Sequence, residues 1–251
     1  MPRSANPLIT VVVPTVDRPR LLARALASAL AQTGVALEIL VVDDGTGEGI
    51  AVVERLGRAD VRAVSSERQG QVPARRIGVR AACGALIAFL DDDDWWAAPD
   101  HLARLLAARA GVSGLAYASG AIVVEDDALQ PIEEMPFVSH ATPQTLERDN
   151  TLIVSGLLFD RQLIDRHGEF DVSFPYYWDW DWYLRLARAG VQLVASAGAA
   201  VRVSARFGSV SSEANIAARR ADLDRLEAKH GIGPIVLRNH ESIARDRRNG
   251  D

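Results

Sequence analysis

The feature that most constrains the fold is an alternation of short apolar runs with amphipathic segments in the N-terminal part of the chain. Ile9–Val13, "LEILVV", "VRAV" and "ALIAFL" are such runs, and residues between them repeat apolar side chains at helical spacing. Uninterrupted apolar runs are typical of strands buried on both faces. Strands that alternate with helices are joined by right-handed crossovers into parallel sheets. The sequence therefore predicts an α/β fold with a doubly wound, mostly parallel central sheet and helices on both faces.

Local signals place the ends of several elements. Asp17 is expected to cap the first helix, because Asp is a favoured N-cap residue and an apolar helical stripe follows it. Asp126–Asn150 is rich in acid and proline and is expected to be irregular. Glu213–Lys229 is expected to form a charged helix capped by Ser211 or Ser212, followed by a loosely held tail.

Composition and charge argue against a nucleic-acid-binding, disulfide-linked or membrane-spanning protein. The net charge of −5 argues against a bulk attraction to nucleic acid or anionic lipid. Cys83 is the only cysteine, which suits a reducing compartment. No apolar run approaches the ~20 residues of a transmembrane helix, and the N-terminus lacks an apolar signal core. We expect a cytoplasmic protein, and peripheral association with a membrane stays open.

Four consecutive carboxylates, Asp91–Asp94, directly follow the apolar strand "ALIAFL". Neighbouring carboxylates raise each other's pKa and cost folding free energy unless a cation or hydrogen-bond donors offset the repulsion. In an extended segment Asp91 and Asp93 would point to one side and Asp92 to the other. Two hard oxygen ligands on one side suit Mg²⁺ or Mn²⁺ held jointly with substrate phosphates. The competing interpretation is an acidic turn, with Asp94 or Asp100 capping the next helix.

The positions of other polar residues favour a site over a solvated turn. Pro14 follows the first strand, Asp43 and Asp44 follow the second, and Asp91–Asp94 follow the fourth. In doubly wound sheets ligands bind outside the carboxyl ends of the strands. These residues are therefore expected to converge on one edge of the sheet.

A second acidic cluster lies in "YYWDWDWYLRLARAG", and all five tryptophans flank one of the two clusters. Aromatic faces with polar neighbours hold sugar rings, although Trp180 and Trp182 are equally well explained as core residues of an amphipathic helix. Asp179 would lie near a helix start, where the helix dipole stabilises the ionised carboxylate. It is a candidate general base for a hydroxyl group.

Taken in order, these segments resemble a known family. "ITVVVPTVDRPRLLARALASALAQT", "LEILVVDDGT", "GQVPARRIGVRAACGALIAFLDDDDWW" and "WDWDWYLRLARAG" look like the inverting nucleotide-sugar glycosyltransferases of family 2, which have the GT-A fold. The resemblance spans about Leu8 to Gly190. It implies a nucleotide-sugar-binding half at residues 1–125 and an acceptor-binding, catalytic half at 126–212, with a C-terminal helix and tail at 213–251.

The resemblance also implies roles for single residues in donor binding. Pro14 would contact the nucleotide base through its backbone, and Asp44 would bond the base edge. Arg75 would face the base or the diphosphate. The donor would be a nucleoside-diphosphate sugar, with a UDP-sugar favoured over GDP or dTDP forms.

The metal and the base are implied in the same way. Asp93 would be a direct ligand of Mn²⁺ or Mg²⁺, with Asp91 or Asp92 on the ribose or on metal-bound water. Asp179 would take the proton of a hydroxyl acceptor, a glycan or a small molecule. The Glu213–Lys229 helix is a candidate surface for a homodimer.

The sequence departs from the family pattern at several positions. Val16 stands where an aromatic residue often stacks on the base, Arg76 replaces an Asn, and Trp178 replaces the Glu before Asp179. Arg206 stands where the family often has a histidine and would either neutralise the diphosphate or be a surface charge. Two alternatives stay open: a metal-dependent phosphotransferase or nucleotidyltransferase, and a non-catalytic nucleotide- or sugar-binding protein on the same scaffold.

Overall fold

The computed structural model describes residues 8–109, 111–205 and 215–249. Its strands are β1 (Ile9–Thr15), β2 (Leu37–Asp43), β3 (Val61–Ser65), β4 (Leu86–Phe89), β5 (Trp95–Trp96), β6 (Gly114–Glu125), β7 (Pro131–Phe137), β8 (Leu157–Asp160) and β9 (Gln192–Ala205). Its helices are α1 (Pro19–Leu30), α2 (Glu48–Leu56), α3 (Gln71–Ala81), α4 (His101–Arg109), α5 (Pro143–Leu146), α6 (Gln162–His167), α7 (Trp178–Arg188), α8 (Ile216–His230) and α9 (His240–Asn249). A 3₁₀ turn at Val154–Gly156 precedes β8. Within the described residues, no helix is long and apolar enough to cross a membrane.

The strands form one sheet in the order β3-β2-β1-β4-β8-β6-β9-β5, with β7 paired to β6. The four strands from β3 to β4 are mutually parallel, and β9 is parallel to β6. Most paired residues belong to these parallel pairs, so the predicted α/β class with a mostly parallel sheet is confirmed. β8 is antiparallel to both of its neighbours. Its apolar run "LLFD" carries no signal for strand direction, because a strand covered on both faces looks alike in either orientation.

Helices cover both faces of the sheet, as expected. Along β1, Val11 and Val13 pack on one face with α1, α2 and α4, while Val12 packs on the other with α3 and α7. This alternation is the two-residue period of an extended strand. Every residue of β1 and β4 is buried, which explains why these two central strands are mostly apolar.

Three local predictions are wrong. Asp17 does not cap α1, whose N-cap position is Arg18 without a side-chain bond. The carboxylate of Asp17 instead accepts hydrogen bonds from the backbone N–H and the hydroxyl of Thr46, both at 2.7 Å, and so joins the loops after β1 and β2. The segment Asp126–Asn150 is not irregular throughout, because it contains β7 and α5. The β7 strand is hard to recognise because "PIEEMPF" has two prolines and two acids.

The third wrong prediction concerns the C-terminal tail. His240–Asn249 forms α9, with Ile243 and Ala244 only 3% and 2% exposed. Arg245 and Arg248 pair with Glu133 on β7 at 3.0 and 2.7 Å. Helix α8 begins at Ile216, and the capping proposed for Ser211 or Ser212 lies outside the described residues.

Candidate functional site

A cavity of about 340 Å³ opens beyond the carboxyl ends of β1, β2 and β4. The residues singled out in the sequence as site residues all line it: Pro14, Asp44, Arg75, Asp91, Asp92, Asp93 and Asp179. Its far wall comes from the C-terminal part of the chain, including His240, Glu241 and Ile243. The expected convergence of strand ends therefore holds, and the tail joins the cavity as well.

Asp44 is held rigidly at the end of β2. One carboxylate oxygen accepts a hydrogen bond from the Ser66 hydroxyl at 2.6 Å, and the other accepts from the Gly70 backbone N–H at 2.9 Å. Its own N–H donates to the Thr15 carbonyl at 2.8 Å. A carboxylate has about four acceptor positions, so both oxygens can also accept from a ligand.

The segment Asp91–Asp94, called the acidic turn below, is not extended. The Asp94 N–H donates to the Asp91 carbonyl at 3.0 Å and closes a turn. As a result Asp92 and Asp93 do not point to opposite sides: both carboxylates lie 3.2 Å from the same Arg18 guanidinium nitrogen. The alternation predicted from strand geometry is wrong here because the strand ends before the acids begin.

The inner part of the acidic turn is structural. Asp94 is buried and accepts from the Ser155 hydroxyl at 2.5 Å and from the Ser204 N–H at 3.1 Å. Burial, followed by the charges of Asp93 and Asp91, raises the pKa of Asp94 well above its usual value. Asp94 therefore anchors the turn to β9 and does not cap a helix. Burial also raises the pKa of Asp92, which accepts from the Thr15 hydroxyl at 2.7 Å.

Arg75 on α3 places a positive charge in the cavity wall. It is 4% exposed, pairs with Asp91, and donates to the backbone and side-chain oxygens of Gln71 at 3.2 and 3.1 Å. Its guanidinium carbon lies 4.8 Å from the centre of the Trp178 ring, close enough for a cation–π contact. Trp178 therefore supports Arg75 and does not supply the acid that it replaces in the family pattern.

The tryptophans around the second acidic cluster are core residues. Trp178 and Trp180 are each 3% exposed and Trp182 is 1% exposed. Trp178 and Trp182 pack edge-on against Phe170, with ring centres 4.8 and 5.1 Å apart. Trp180 donates its ring N–H to the Leu146 carbonyl at 2.6 Å. Such burial favours the core interpretation over sugar stacking.

Asp179 lies in the first turn of α7 and is buried. Burial raises its pKa to about 6, although a hydrogen bond from Asn150 and the charge of Arg75 act in the opposite direction. The Asn150 amide nitrogen donates to Asp179 Oδ2 at 2.8 Å. With a pKa near neutrality, Asp179 is ionised at pH 7 and binds a proton readily, which are the two requirements of a general base.

The start of α7 is itself fixed by α8. The Asp222 carboxylate accepts from the backbone N–H groups of Tyr176 and Tyr177 at 2.8 and 3.1 Å. An acid at a helix N-terminus satisfies donors that have no partner within the helix. The orientation of Asp179 therefore depends on the C-terminal third of the chain.

Several residues that shape the cavity were not predicted from the sequence. They are Thr15, Arg18, Gln71, Asn150, Ser155, Ser204, Asp222 and His240. Arg18 lies three residues past the end of β1, where the strand-end rule could have identified it. Of the others, Asp222 lies in the predicted charged helix, but the helical pattern does not show that its carboxylate reaches the start of α7. Arg206 lies outside the described residues.

The carboxylates of the acidic turn could help to bind a divalent metal ion. Within the described ranges, no group of three or more His, Cys, Asp or Glu residues could hold a metal on its own. The side chains of Asp93 and Asp91 are 23% and 31% exposed, and both line the cavity. Mg²⁺ is commonly held by one or two carboxylates together with substrate phosphates. The residues present therefore fit an ion whose coordination a bound diphosphate completes.

Known sequences similar to this chain belong to one family. The profile of glycosyl transferase family 2 matches residues 10–159. The uncharacterized glycosyltransferase YwdF of Bacillus subtilis is 31% identical over 237 residues, which cover 92% of this chain and 87% of YwdF. The succinoglycan biosynthesis protein ExoO of Rhizobium meliloti is 39% identical over 110 residues, 43% of this chain and 31% of ExoO.

Solved structures of similar fold are glycosyltransferases too. Residues 1–349 of S. aureus TarS, with UDP-GlcNAc, give a TM-score of 0.68 at 17% identity, over 88% of this chain and 65% of that TarS chain. The mannosyltransferase PcManGT of Pyrobaculum calidifontis, in complex with GDP-Man and Mn²⁺, gives 0.66 at 22% identity, over 90% of this chain and 64% of PcManGT. The chain thus spans somewhat less than two thirds of these solved chains. From the family profile, the full-length likeness to YwdF and the shared GT-A fold, we conclude that the chain is a glycosyltransferase of family 2.

Proposed function

We propose that the cavity transfers a sugar from a nucleoside-diphosphate sugar to a hydroxyl acceptor, with inversion at the anomeric carbon and Asp179 as the general base. The observation that carries this proposal is the meeting of Asp44, Arg75, the acidic turn and Asp179 in one cavity. Asp44 and the acidic turn follow β2 and β4, while Arg75 and Asp179 lie on α3 and α7. No single structural element therefore requires these groups to be together.

Donor binding is assigned to the strand-end side of the cavity. Asp44 and the backbone of Pro14 bind the nucleotide base, and Arg75 binds the base or the diphosphate. Asp91 and Asp92 complete the donor site. The UDP-GlcNAc complex of TarS and the GDP-Man complex of PcManGT support a nucleoside-diphosphate sugar. Between these we favour a UDP-sugar, with GDP- and dTDP-sugars as the alternatives.

A divalent ion, Mn²⁺ or Mg²⁺, is assigned to Asp93 and Asp91. When bound there, the ion would neutralise the charge that develops on the departing diphosphate. Mn²⁺ in the PcManGT complex supports this choice. Arg18, 3.2 Å from both Asp92 and Asp93, keeps the acidic turn balanced in charge while no donor is bound.

The chemical step is assigned to Asp179. Its carboxylate accepts the proton of the acceptor hydroxyl as that oxygen attacks the anomeric carbon on the face opposite the diphosphate. The bond to the diphosphate oxygen breaks, and the diphosphate leaves with the electron pair. Inversion follows from a single displacement. A general base of this kind contributes about 10²–10⁴-fold to the rate.

The experiment combines binding and turnover. Thermal shift with UDP, GDP and dTDP, each with and without Mn²⁺, identifies the nucleotide, since a ligand at 100 times its Kd stabilises the fold by about 2.7 kcal/mol. Release of that nucleoside diphosphate from its sugar donors is then measured with a panel of p-nitrophenyl glycosides as acceptors. Asp179→Asn is expected to keep the thermal shift and to lose about 10²–10⁴-fold in turnover. Asp165→Asn, a change of an exposed acid on α6, is the matched control and is expected to retain both.

Each alternative predicts a different result. Phosphate release without any acceptor-dependent product would favour a phosphotransferase. Nucleotide binding with no transfer to any acceptor, with or without metal, would favour a non-catalytic binding protein. Equal turnover of Asp179→Asn and the wild type would remove Asp179 from the role of base.

A further inference from the structure

We propose that Asn150 is a positioning residue for Asp179, and that the C-terminal helix α9 holds Asn150 in place through His240. The inference rests on the proposed function, since it takes Asp179 as the base. It assigns a role in the chemistry to the segment before the 3₁₀ turn and to the end of the chain, both outside the motifs that carry the family resemblance.

The Asn150 side chain contacts Asp179 directly, and only one orientation of its amide group allows a hydrogen bond. The Asn150 amide nitrogen lies 2.8 Å from Asp179 Oδ2, and an ionised carboxylate can only accept. The amide oxygen of Asn150 accepts in turn from the Leu152 N–H at 3.4 Å. The side chain is therefore fixed with its NH₂ group towards Asp179.

The backbone of Asn150 is held from α9. His240 Nε2 lies 3.2 Å from the Asn150 carbonyl oxygen, which can only accept, so Nε2 carries the proton. Burial lowers the pKa of His240 to about 4, which keeps the ring neutral at pH 7. The ring centre lies 4.9 Å from that of Phe137 on β7, which fixes the plane of the imidazole. One residue earlier, Asp149 pairs with Arg238, just ahead of α9.

The contact also bears on the protonation of the base. A donor to the ionised form lowers the pKa of a buried carboxyl group, and Asn150 does so for Asp179. Arg75 acts in the same direction from α3. Burial raises the pKa of Tyr177, just before α7, and of Tyr183, on α7, and the charge of Asp179 acts in the same direction, so both phenols stay neutral at pH 7. Removal of the Asn150 donor is therefore expected to raise the pKa of Asp179.

The test compares kcat, donor KM and the pH dependence of kcat between pH 5 and 9. Asn150→Ala is expected to lower kcat about tenfold to hundredfold and to move the acidic limb of the profile up by about one pH unit, because a hydrogen bond to a charged group is lost. Donor KM is expected to stay within about twofold, since Asn150 is not assigned to the donor. His240→Ala is expected to shift the limb in the same direction by a smaller amount.

Two further variants separate positioning from loop stability. Asn150→Asp has nearly the same shape but replaces the donor with a second carboxylate, so the acidic limb is expected to move further than in Asn150→Ala. Asn150→Ser retains a donor and is expected to recover part of kcat. Ser173→Ala is the control. It removes a hydroxyl that donates at 2.7 Å to Asp171, a carboxylate that does not line the cavity. This variant is expected to change neither kcat nor the position of the acidic limb.

The pKa of Asp179, followed by carboxyl ¹³C NMR, gives a readout that does not depend on turnover. The same upward shift in Asn150→Ala would support the proposal. A wild-type kcat profile with unchanged limbs in Asn150→Ala and Asn150→Asp, together with an unchanged carboxyl pKa, would overturn it and leave the proposed function standing. Failure of the wild type to transfer any sugar would instead count against the proposed function.

Discussion

The raised pKa of Asp179 makes a quantitative prediction about folding stability. The usual pKa of an aspartate is 3.8, and burial in the folded protein raises that of Asp179 to about 6. Between these values the unfolded chain releases the proton while the folded chain keeps it. The free energy of unfolding therefore falls as pH rises through this window. Asp179→Asn is expected to remove this loss, because an amide carries no charge at any of these pH values.

The size of the effect follows from the pKa difference. Each pKa unit corresponds to about 1.4 kcal/mol, so the full window is worth about 3 kcal/mol. Part of it is already lost at pH 4.5, which leaves about 2 kcal/mol between pH 4.5 and 7.5. The stability of Asp179→Asn relative to the wild type is therefore expected to rise by about 2 kcal/mol over that range.

Urea denaturation of both proteins at pH 4.5 and 7.5 measures this change. Other titrating groups are common to the two proteins and cancel in the difference. The Asn side chain retains an oxygen that can accept from Asn150, so the cavity wall is preserved. A stability difference that is the same at both pH values would refute the inference that Asp179 is held as a costly buried carboxylate. A fall in the stability of Asp179→Asn relative to the wild type as pH rises would refute it as well.

Three further predictions concern the groups around the base. Arg18→Gln removes the cation shared by Asp92 and Asp93, and is expected to tighten binding of Mn²⁺ alone in a calorimetric titration; weaker binding would contradict this role. Arg75→Lys loses the planar fork, and is expected to raise the donor Kd about tenfold while the thermal midpoint without ligand changes little; an unchanged Kd would contradict the assignment. Trp178→Leu leaves a void beside Phe170 and is expected to cost about 2–4 kcal/mol in urea denaturation, with a loss below about 1 kcal/mol contradicting its place in the core.

The parts of the fold that could be predicted are those fixed by local pattern. The apolar runs predicted β1 to β4. Because ligands bind at the carboxyl ends of parallel strands, the positions of Asp44 and Asp91–Asp94 after their strands predicted that they lie at one edge of the sheet. The direction of β8 could not be predicted, because an apolar strand has no signal for it. The turn at Asp91–Asp94 could not be predicted either, since its shape depends on Ser155 and Ser204 far along the chain.

In the candidate site, too, residues marked by a local pattern could be predicted and their distant partners could not. Asp179 was identifiable from its place at the start of an amphipathic helix. Its partner Asn150 lies 29 residues earlier, and His240 bonds to Asn150 across 90 residues. Contacts between residues so far apart in the chain arise from tertiary packing, and no periodic pattern in the sequence indicates them. Helix α9 was missed because it has few apolar residues, and these are buried by tertiary contacts with β6 and β7.

The most direct measurement of the central claim is a crystal structure of the protein with its preferred nucleoside-diphosphate sugar and Mn²⁺, in the Asp179→Asn form to prevent turnover. We predict the base beside Asp44, the diphosphate between Arg75 and the acidic turn with the ion on Asp93, and the residue 179 side chain facing the anomeric carbon from the side opposite the diphosphate. A nucleotide bound outside this cavity would contradict the account. So would a sugar whose anomeric carbon faces away from residue 179.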